Sequence, residues 1–392
     1  MDAPTKPTDT NAGMDAVVPD RFRQWVVQGR LPDGMLCEHN FEQRQIATPD
    51  IGEGEALVRV KLLNIHSATR LRIARGLIAE GATDPNCYAC AEVVRSRDTA
   101  FAVGDVIACQ AGWQEYQVVR SSDLPVGFGE PNELVKALNR TRSPWTYVFR
   151  PELVRMWSPA VLMEILGTSG MTAWFGMQQY GPLMPGDTVA VAAATGSVGS
   201  IVAQLAKAAG CRVVGFAGGG DRCKWVVDTL GIDACIDYTA VDFPLTLRAA
   251  FPEGIDVFSD GVGAPMTEAV VRHMNRHARL FSYGSAAAAY AAEAGTAPAR
   301  KSTMRETFGI DASVERVLRE RNIKSGAWTV DAFYHDRLNA ENDLSRLMTM
   351  GQLTPHSRVA HGFDKLPDAI VDQYRRRGTG KLQISFENGA AT

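Results

Sequence analysis

The stretch Thr188-Val-Ala-Val-Ala-Ala-Ala-Thr-Gly-Ser-Val-Gly-Ser200 decides the fold. Its first half is a short apolar run typical of a buried strand, and its second half is a glycine turn leading into a helix, which we expect from Ser197 onward. The two glycines let the backbone approach a ligand closely, and the first N–H groups of the helix point at that ligand. This geometry predicts a site for the pyrophosphate of a dinucleotide, and therefore a redox enzyme.

The glycine turn is a variant of the dinucleotide fingerprint Gly-x-Gly-x-x-Gly, with alanine in the first place. A buried strand precedes it, a helix follows it, and a second strand begins at Arg212, as a strand–helix–strand unit requires. The alternative is a tight turn that binds no ligand. We expect the turn residues to contact the cofactor, namely Ala194, Gly196, Ser197, Val198 and Gly199.

The end of the second strand indicates which cofactor is bound. A site for NAD places a carboxylate about 20 residues past the fingerprint, where it accepts the ribose 2′-OH. This chain has Ala217-Gly-Gly-Gly220 there, so no carboxylate repels a 2′-phosphate. Arg222 and Lys224 are within reach as charge-assisted donors, although Asp221 adds a negative charge to the loop. We therefore predict NADPH as the cofactor. The alternative is that the two cations lie in solvent at the start of a helix and bind no phosphate.

The chain divides into a β-rich part and a part in which strands and helices alternate. Strands are predicted at 188–193, 212–217, 234–237, 255–259 and 278–283, and the helices after the first two end at Gly210 and Gly231. This alternation predicts a parallel sheet covered by helices on both faces. A strand at 381–386 is expected to return to the first domain. The predicted units are a disordered leader at 1–19, a substrate domain at 20–160 with 350–392, and a dinucleotide-binding domain at 161–349.

Composition excludes several other classes of protein. The 392 residues are 45% hydrophobic with a net charge of −3, which provides no basic field for nucleic acid or an anionic membrane. No apolar run approaches the roughly 20 residues that cross a bilayer. The polar N-terminus lacks the apolar core of a signal peptide, so a cytoplasmic location is predicted. Seven cysteines, an odd number, indicate reduced thiols, and the close pair Cys87 and Cys90 is interpreted as two ordinary thiols on a short strand or loop.

The chain resembles the zinc-independent medium-chain dehydrogenase/reductases, in the branch of prostaglandin reductases, curcumin reductase and alkenal double-bond reductases. The motifs that carry the resemblance are Arg23-Gln-Trp25, Gly54-Glu-Ala-Leu-Val-Arg59, Gly112-Trp-Gln-Glu-Tyr116, Leu166-Gly-Thr-Ser-Gly-Met-Thr-Ala-Trp-Phe-Gly176, Pro185-Gly-Asp-Thr-Val189, the glycine turn, Gly210-Cys-Arg-Val-Val-Gly215, Cys223-Lys-Trp225 and Gly380-Lys381. The resemblance implies an α/β fold, with a doubly wound parallel sheet of the Rossmann type and a GroES-like β-barrel domain. It also implies a homodimer.

The resemblance further implies a reaction and a set of site residues. NADPH would deliver a hydride to the β-carbon of a small apolar α,β-unsaturated carbonyl compound without a metal, and hydrogen bonds would stabilise the enolate oxygen. In the family's phosphate pocket a lysine and a tyrosine hold the 2′-phosphate, and the matching positions are Arg222 and Tyr238. The further cofactor positions that correspond to family motifs are Gly261, Gly284 and Ser285.

The chain departs from the family pattern around the substrate. His66-Ser-Ala-Thr-Arg70 replaces Asp-Pro-Tyr-Met-Arg, Gly261 and Gly378 replace asparagines, and Tyr290 is displaced by one position in its loop. His66 and Tyr290 are the candidate catalytic residues, as donors to the substrate; the alternatives are a packed histidine and a surface tyrosine. A longer segment at 126–155 carries Trp145, Tyr147 and Phe149, which either cover the substrate or pack that segment against its own domain.

Three functions therefore remain open. The first is reduction of the C=C bond of an enone or enal. The second is NADP(H)-dependent reduction of a carbonyl, quinone or imine in a specialised biosynthetic pathway, and the third is a cofactor-binding homologue repurposed for non-redox chemistry. Catalytic zinc is not predicted, because Cys37 and His39 are not followed by the Gly-His-Glu of zinc alcohol dehydrogenases and no four-cysteine lobe is present.

Overall fold

A computed structural model describes residues 18–29, 36–66, 69, 72–73, 76–123, 146–286, 303–330, 333, 336–374 and 378–387. Of the predicted leader, residues 1–17 lie outside this set, as do residues 287–302, which include Tyr290. Within the described residues no helix is long and apolar enough to cross a bilayer.

The N-terminal part is antiparallel. Its strands are β1 (Arg21–Val27), β2 (Phe41–Ala47), β3 (Ala56–Asn64), β4 (Cys87–Ser96), β5 (Val106–Ala111), β6 (Tyr116–Val119) and β7 (Tyr147–Val148). β1 pairs with β2, while β3 pairs with both β4 and β6. The strand β2 escaped the sequence reasoning because its sequence, Phe-Glu-Gln-Arg-Gln-Ile-Ala, is mostly polar and its centre is exposed.

The second sheet is parallel and six-stranded. Its strands are β8 (Thr188–Val191), β9 (Arg212–Ala217), β10 (Ala234–Asp237), β11 (Ile255–Asp260), β12 (Met274–Ser282) and β13 (Lys324–Ala327), in the spatial order β10-β9-β8-β11-β12-β13. This is the doubly wound order of the Rossmann fold, in which the direction of winding reverses between β8 and β11. The fold class predicted from the sequence is therefore confirmed.

Helices cover both faces of this sheet. The helices of the described residues are α1 (Pro151–Met156), α2 (Pro159–Ile165), α3 (Thr168–Gln179), α4 (Gly199–Ala208), α5 (Gly220–Leu230), α6 (Phe243–Ala250), α7 (Met266–Val271), α8 (Met304–Thr307), α9 (Ala312–Glu320), α10 (Arg337–Thr349) and α11 (Leu366–Tyr374), beside 3-10 turns at Glu38–Asn40 and Phe363–Lys365. Of these, α11 packs against the first sheet instead. Along β8, Val189 and Val191 pack into one buried cluster and Ala190 into another, on the opposite face. Gly231 ends α5 in the left-handed conformation with φ 65°, as the stop signal predicts.

One helix boundary was predicted wrongly. α4 begins at Gly199 with Val198 as its N-cap, not at Ser197. The reason is a tight turn after β8, in which Ala193 adopts φ 50° and the N–H of Gly196 donates to the carbonyl oxygen of Ala193 at 2.8 Å. Helical hydrogen bonding can begin only once that turn is complete.

The C-terminal tail returns to the first sheet. β14 (Ser357–His361) runs parallel to β15 (Lys381–Ser385), and β15 pairs antiparallel with β3, giving a sheet in the order β14-β15-β3-β4-β5-β7 with β6 on the side of β3. The strand predicted at the C-terminus is thus β15. The domain boundaries drawn from the sequence stay a prediction.

Candidate cofactor and substrate site

The glycine turn lies at the carboxyl end of β8, where the winding of the sheet reverses. A Cβ atom on Gly199 would clash with the carbonyl oxygen of Ala193, and one on Gly196 would lie 3.1 Å from the same oxygen. Gly199 therefore lets α4 start directly against the end of the strand. Ala194 is fully buried, and its methyl group would lie 2.8 Å from a Cβ on Gly215 of β9, so its side chain packs between strands.

Three backbone N–H groups at the start of α4 carry no internal hydrogen bond. The first bond into the helix runs from the N–H of Ser200 to the carbonyl oxygen of Gly196 at 2.9 Å. The N–H groups of Ser197, Val198 and Gly199 have no acceptor among the residues that the structure describes. Unsatisfied donors at a helix start, next to glycine, favour an anionic group such as a pyrophosphate.

The ends of β9 and β10 carry the residues predicted to bind the 2′-phosphate. The ring of Tyr238 lies over Gly218, where a Cβ would be 3.0 Å from the phenol oxygen. Gly219 adopts φ 95°, and its N–H donates to the carboxylate of Asp237 at 2.9 Å. The hydroxyl of Thr239 and the Gly219 N–H hold the pKa of Asp237 below its usual value, so this carboxylate is already engaged in shaping the loop.

The two cations predicted to bind the 2′-phosphate differ in position. Arg222 lies in the first turn of α5 and is partly buried. Lys224 is exposed, and its ammonium pairs with Asp228 one helical turn later at 2.5 Å. Arg222 is therefore the less exposed of the two cations, in the turn that follows the Gly218–Gly219 loop, while Lys224 is engaged on the outer face of the helix.

The carboxyl ends of β11 and β12 hold the next group of predicted residues. A Cβ on Gly261 would lie 2.7 Å from the ring of Tyr283, and one on Gly284 would lie 2.8 Å from the carbonyl oxygen of Gly261. Ser285 follows, partly exposed, with its Cα 3.6 Å from a Cβ placed on Gly263. The two glycines thus permit close packing of the strand ends around Tyr283.

Tyr283 is a site residue that the sequence reasoning missed. Its hydroxyl lies 3.4 Å from the hydroxyl of Ser259, and burial raises its pKa. The only sequence signal was its place directly before Gly284 at the end of a predicted strand. Its ring packs where the carboxyl edge of the sheet meets the first domain.

His66 follows β3 and faces the same region from the first domain. Its ring makes an edge contact with Tyr88 of β4 at 5.0 Å, and its Nε2 atom is buried without a partner among the described residues. Burial, then the charges of Lys381 and Arg72, lowers the pKa of His66 well below its ordinary value. The imidazole is therefore neutral at physiological pH, with one nitrogen available to a ligand.

Lys381, in the family motif Gly380-Lys381, is a second site residue for which the sequence indicates no role. It is 5% exposed at the start of β15, and burial lowers its pKa to about 8, opposed by the charge of Glu164. Glu164 is itself buried and accepts hydrogen bonds from the backbone N–H of His356 at 2.9 Å and from the hydroxyl of Ser357. Lys381 therefore brings a positive charge close to His66.

Tyr88, Tyr147 and Tyr283 converge on one group of side chains, which we call the aromatic cluster. Its buried members and the side chains packed against them are Met171, Phe175, Trp328 and Ala340, with Tyr88, Tyr147, Trp174, Tyr180, Tyr283, Val330 and Phe333. Because His66 contacts Tyr88, the cluster connects the candidate catalytic histidine with the carboxyl edge of the parallel sheet. Aromatic side chains of this kind are common in the lining of sites for apolar ligands.

The longer segment contributes Tyr147 to the aromatic cluster and Phe149 to the core. Phe149 is buried, as expected if the segment packs against the protein. The ring of Tyr147 lies 3.8 Å from the guanidinium of Arg337, and its hydroxyl donates to the carbonyl oxygen of Leu166 at 3.2 Å. Trp145, like Tyr290, lies outside the described residues.

Potential metal ligands do not cluster in the described part of the chain. No group of three or more histidine, cysteine, aspartate or glutamate side chains there could hold a metal ion. Cys87 and Cys90 lie on a strand, β4, and both are buried. Burial raises the pKa of Cys90 to about 12.

Comparison with known proteins identifies two family matches. Residues 23–126 match the family described as "N-terminal domain of oxidoreductase", and residues 197–321 match "Zinc-binding dehydrogenase". The chain is 28% identical to the NADPH-dependent curcumin reductase of Escherichia coli (strain K12) over 376 residues, covering 93% of this chain and 96% of that protein. It is 26% identical to prostaglandin reductase 1 of Mus musculus over 363 residues, covering 92% and 98%.

Solved structures agree with these matches. The crystal structure of CurA from Vibrio vulnificus, also solved in complex with NADPH, superposes with a TM-score of 0.73 at 27% identity, covering 94% of this chain and 100% of that one. The chain belongs to the medium-chain dehydrogenase/reductase superfamily, in its zinc-independent reductase branch.

Proposed function

We propose that the protein is an NADPH-dependent reductase of the C=C bond of an apolar α,β-unsaturated carbonyl compound. Relatives over nearly the full length are named as curcumin and prostaglandin reductases, and a plant relative at 27% identity, from Mentha piperita, is named (+)-pulegone reductase. The single observation that carries the proposal is the buried Nε2 atom of His66, which has no partner among the described residues and whose ring contacts Tyr88 of the aromatic cluster, to which Tyr283 from the sheet edge also belongs.

The residues at the sheet edge fit NADPH. Among the described residues, the N–H groups from Ser197 to Gly199 have no acceptor and suit its pyrophosphate. The carboxylate of Asp237 is engaged by the N–H of Gly219, while the exposed Asp221 adds a negative charge that the 2′-phosphate must tolerate. Arg222 supplies a planar donor for that phosphate, with Tyr238 beside it. Gly261, Gly284 and Ser285 would border the nicotinamide end. NADPH, when bound, supplies the hydride that adds to the β-carbon.

His66 has the chemistry needed at the carbonyl group of the substrate. As the neutral tautomer that carries a proton on Nε2, it would donate a hydrogen bond to the carbonyl oxygen, which gains negative charge as the enolate forms. The positive charge of Lys381 disfavours a second proton on His66 and so lowers its pKa. The same charge favours the negative oxygen of the enolate. Tyr290 remains proposed as a second donor. The aromatic cluster would exclude water and select an apolar substrate.

A matched pair of substrates tests this function. The purified protein is mixed with NADPH and either a conjugated aryl enone or the saturated ketone of the same skeleton, and the absorbance of NADPH is followed. We expect consumption with the enone only. Consumption with the ketone would select the alternative carbonyl reductase, and tight NADPH binding without consumption across a panel of enones, ketones, quinones and imines would select the repurposed homologue.

Three sequence-based expectations stay predictions. They are the cytoplasmic location, the homodimer and the absence of nucleic-acid partners.

A further inference from the structure

Cys223 and Cys235 form a close pair of free thiols. Their sulfur atoms lie 2.8 Å apart, with the thiol of Cys235 donating to the sulfur of Cys223. A disulfide bond is about 2.05 Å long, so the two sulfurs need to approach by less than about 1 Å. Both residues are partly exposed, whereas Cys87, Cys90 and Cys211 are buried.

The pair connects the two elements that carry the predicted 2′-phosphate pocket. Cys223 lies on α5 directly between Arg222 and Lys224. Cys235 lies on β10, two residues before the carboxylate that holds the Gly219 loop. A covalent bond between them would join the first turns of α5 to the strand that presents Tyr238.

We propose that Cys223 and Cys235 are a redox modification site, which a peroxide oxidises to a disulfide that weakens NADPH binding at the adjacent pocket. The effect on NADPH rests on the proposed function; the bond itself does not. Transient disulfides of this type are the usual form in which an otherwise reduced protein senses an oxidant.

The chemistry balances with hydrogen peroxide as the oxidant. The thiolate of Cys223 attacks one oxygen, the O–O bond breaks, and a sulfenic acid and water form. The thiol of Cys235 then attacks the sulfenic sulfur, the S–S bond forms, and a second water leaves with the hydroxyl oxygen. Two thiols thus lose two electrons and two protons to one peroxide, and a dithiol reductant reverses the change.

Cys223 is the better nucleophile of the two. Burial raises the pKa of both thiols. The hydrogen bond that Cys235 donates lowers the pKa of Cys223 and raises the pKa of Cys235. The pair is therefore mainly protonated at neutral pH and stays reduced until an oxidant is present.

Peptide mapping of the full-length protein tests the proposal. The reduced protein is treated with hydrogen peroxide, free thiols are alkylated, and the digest is analysed by mass spectrometry without reduction. We expect a linked peptide pair containing Cys223 and Cys235, which dithiothreitol separates. The linked pair should be absent in Cys235→Ser and retained in the control Cys211→Ser. Independent alkylation of both residues in the treated wild-type protein would overturn the proposal.

Cofactor binding is measured on the same samples. Oxidation of the wild-type protein should raise the Kd for NADPH about tenfold, the effect of one lost charge-assisted hydrogen bond, and leave the Kd for NADH unchanged. Oxidised Cys235→Ser should keep the affinity of its reduced form. An unchanged Kd in linked wild-type protein would overturn the proposal. If the reduced protein does not bind NADPH at all, the proposed function fails, while the peptide map still reports on the bond.

Discussion

Arg222 and Lys224 lie two positions apart on α5 but have different surroundings. Lys224 is paired with Asp228, and its side chain is 77% exposed. Arg222 is partly buried in the turn that begins beside the Gly218 loop. The charge pattern in the sequence treated both as donors, because spacing alone does not show which way a side chain leaves a helix.

Arg222→Ala should weaken NADPH binding and spare NADH. Loss of a charge-assisted hydrogen bond to the 2′-phosphate costs about 1–3 kcal/mol, or roughly tenfold or more in Kd, and NADH has no such phosphate. The measurement is calorimetric titration with each cofactor. Lys224→Ala is the matched control and should leave both affinities nearly unchanged. Equal weakening of NADPH and NADH by Arg222→Ala would contradict the assignment.

His66→Phe should slow the reaction without changing cofactor affinity. Phenylalanine keeps the edge contact with Tyr88 but removes the donor to the oxyanion, so kcat should fall by about 10²-fold while the Kd for NADPH is unchanged. Because the pKa of His66 lies well below 6.5, the wild-type rate should show no inflection near that pH. The test is steady-state kinetics from pH 5.5 to about 8, a range around the ordinary histidine value. An unchanged kcat in the variant would rule out a catalytic role.

At the scale of elements, the glycine turn fixes how α4 meets β8. Gly199→Ala places a methyl group against the carbonyl oxygen of Ala193, so the free energy of unfolding should fall by about 1–3 kcal/mol. Gly220→Ala is the matched control, because no heavy atom of the described residues lies within 4 Å of its Cβ position and α5 begins there; it should be neutral or stabilising by about 0.4–1 kcal/mol. Urea unfolding measures both. Equal stability of the two variants would show that the turn has room for a side chain.

The parallel strands were predictable and several neighbouring features were not. β9 and β10 have the bounds read from the sequence, because buried strands between glycine-ended helices leave a clear pattern. β2 was missed since its polar sequence forms only a two-stranded pair. The start of α4 was predicted too early, at Ser197, because an alanine in the sequence does not indicate the positive φ that Ala193 adopts.

Some of the site residues could likewise be predicted from the sequence, and others could not. The turn residues follow a spacing, so they could be proposed from sequence. Tyr283 and Lys381 could not, because their importance depends on which chain segments meet in space. Tyr283 packs against Gly261 from the neighbouring strand, and Lys381 reaches His66 only because β15 returns to β3.

At the scale of the whole molecule, the returning tail docks directly on the cofactor turn. The N–H of Gly380 donates to the carbonyl oxygen of Thr195 at 2.8 Å, and a Cβ at position 380 would clash with the carbonyl oxygen of His356. This docking carries Lys381 into the buried space between the two sheets. The first sheet thus contributes the charge of Lys381 to a site whose glycine turn belongs to the second sheet.

The burial of Lys381 predicts a pH dependence of stability. Its pKa of about 8 in the folded protein lies below its ordinary value of 10.5, so between these values the unfolded chain binds more protons. The contribution of Lys381 to the free energy of unfolding should therefore rise from pH 8 to about 10.5 and be lost as the pH falls. In urea unfolding, the free energy of unfolding of the wild type should increase relative to that of Lys381→Met as the pH rises across that range. A constant difference would mean that the ammonium is solvated.

The central claim is that a hydride from NADPH reaches the β-carbon of an enone at the carboxyl edge of the parallel sheet. The most direct measurement is transfer of deuterium from NADPH labelled stereospecifically at C4 of the nicotinamide, with the position of the label in the product read by NMR. We predict a saturated ketone with deuterium on the β-carbon and none on the carbonyl carbon. Deuterium on the carbonyl carbon of an alcohol that retains its C=C bond would contradict the account.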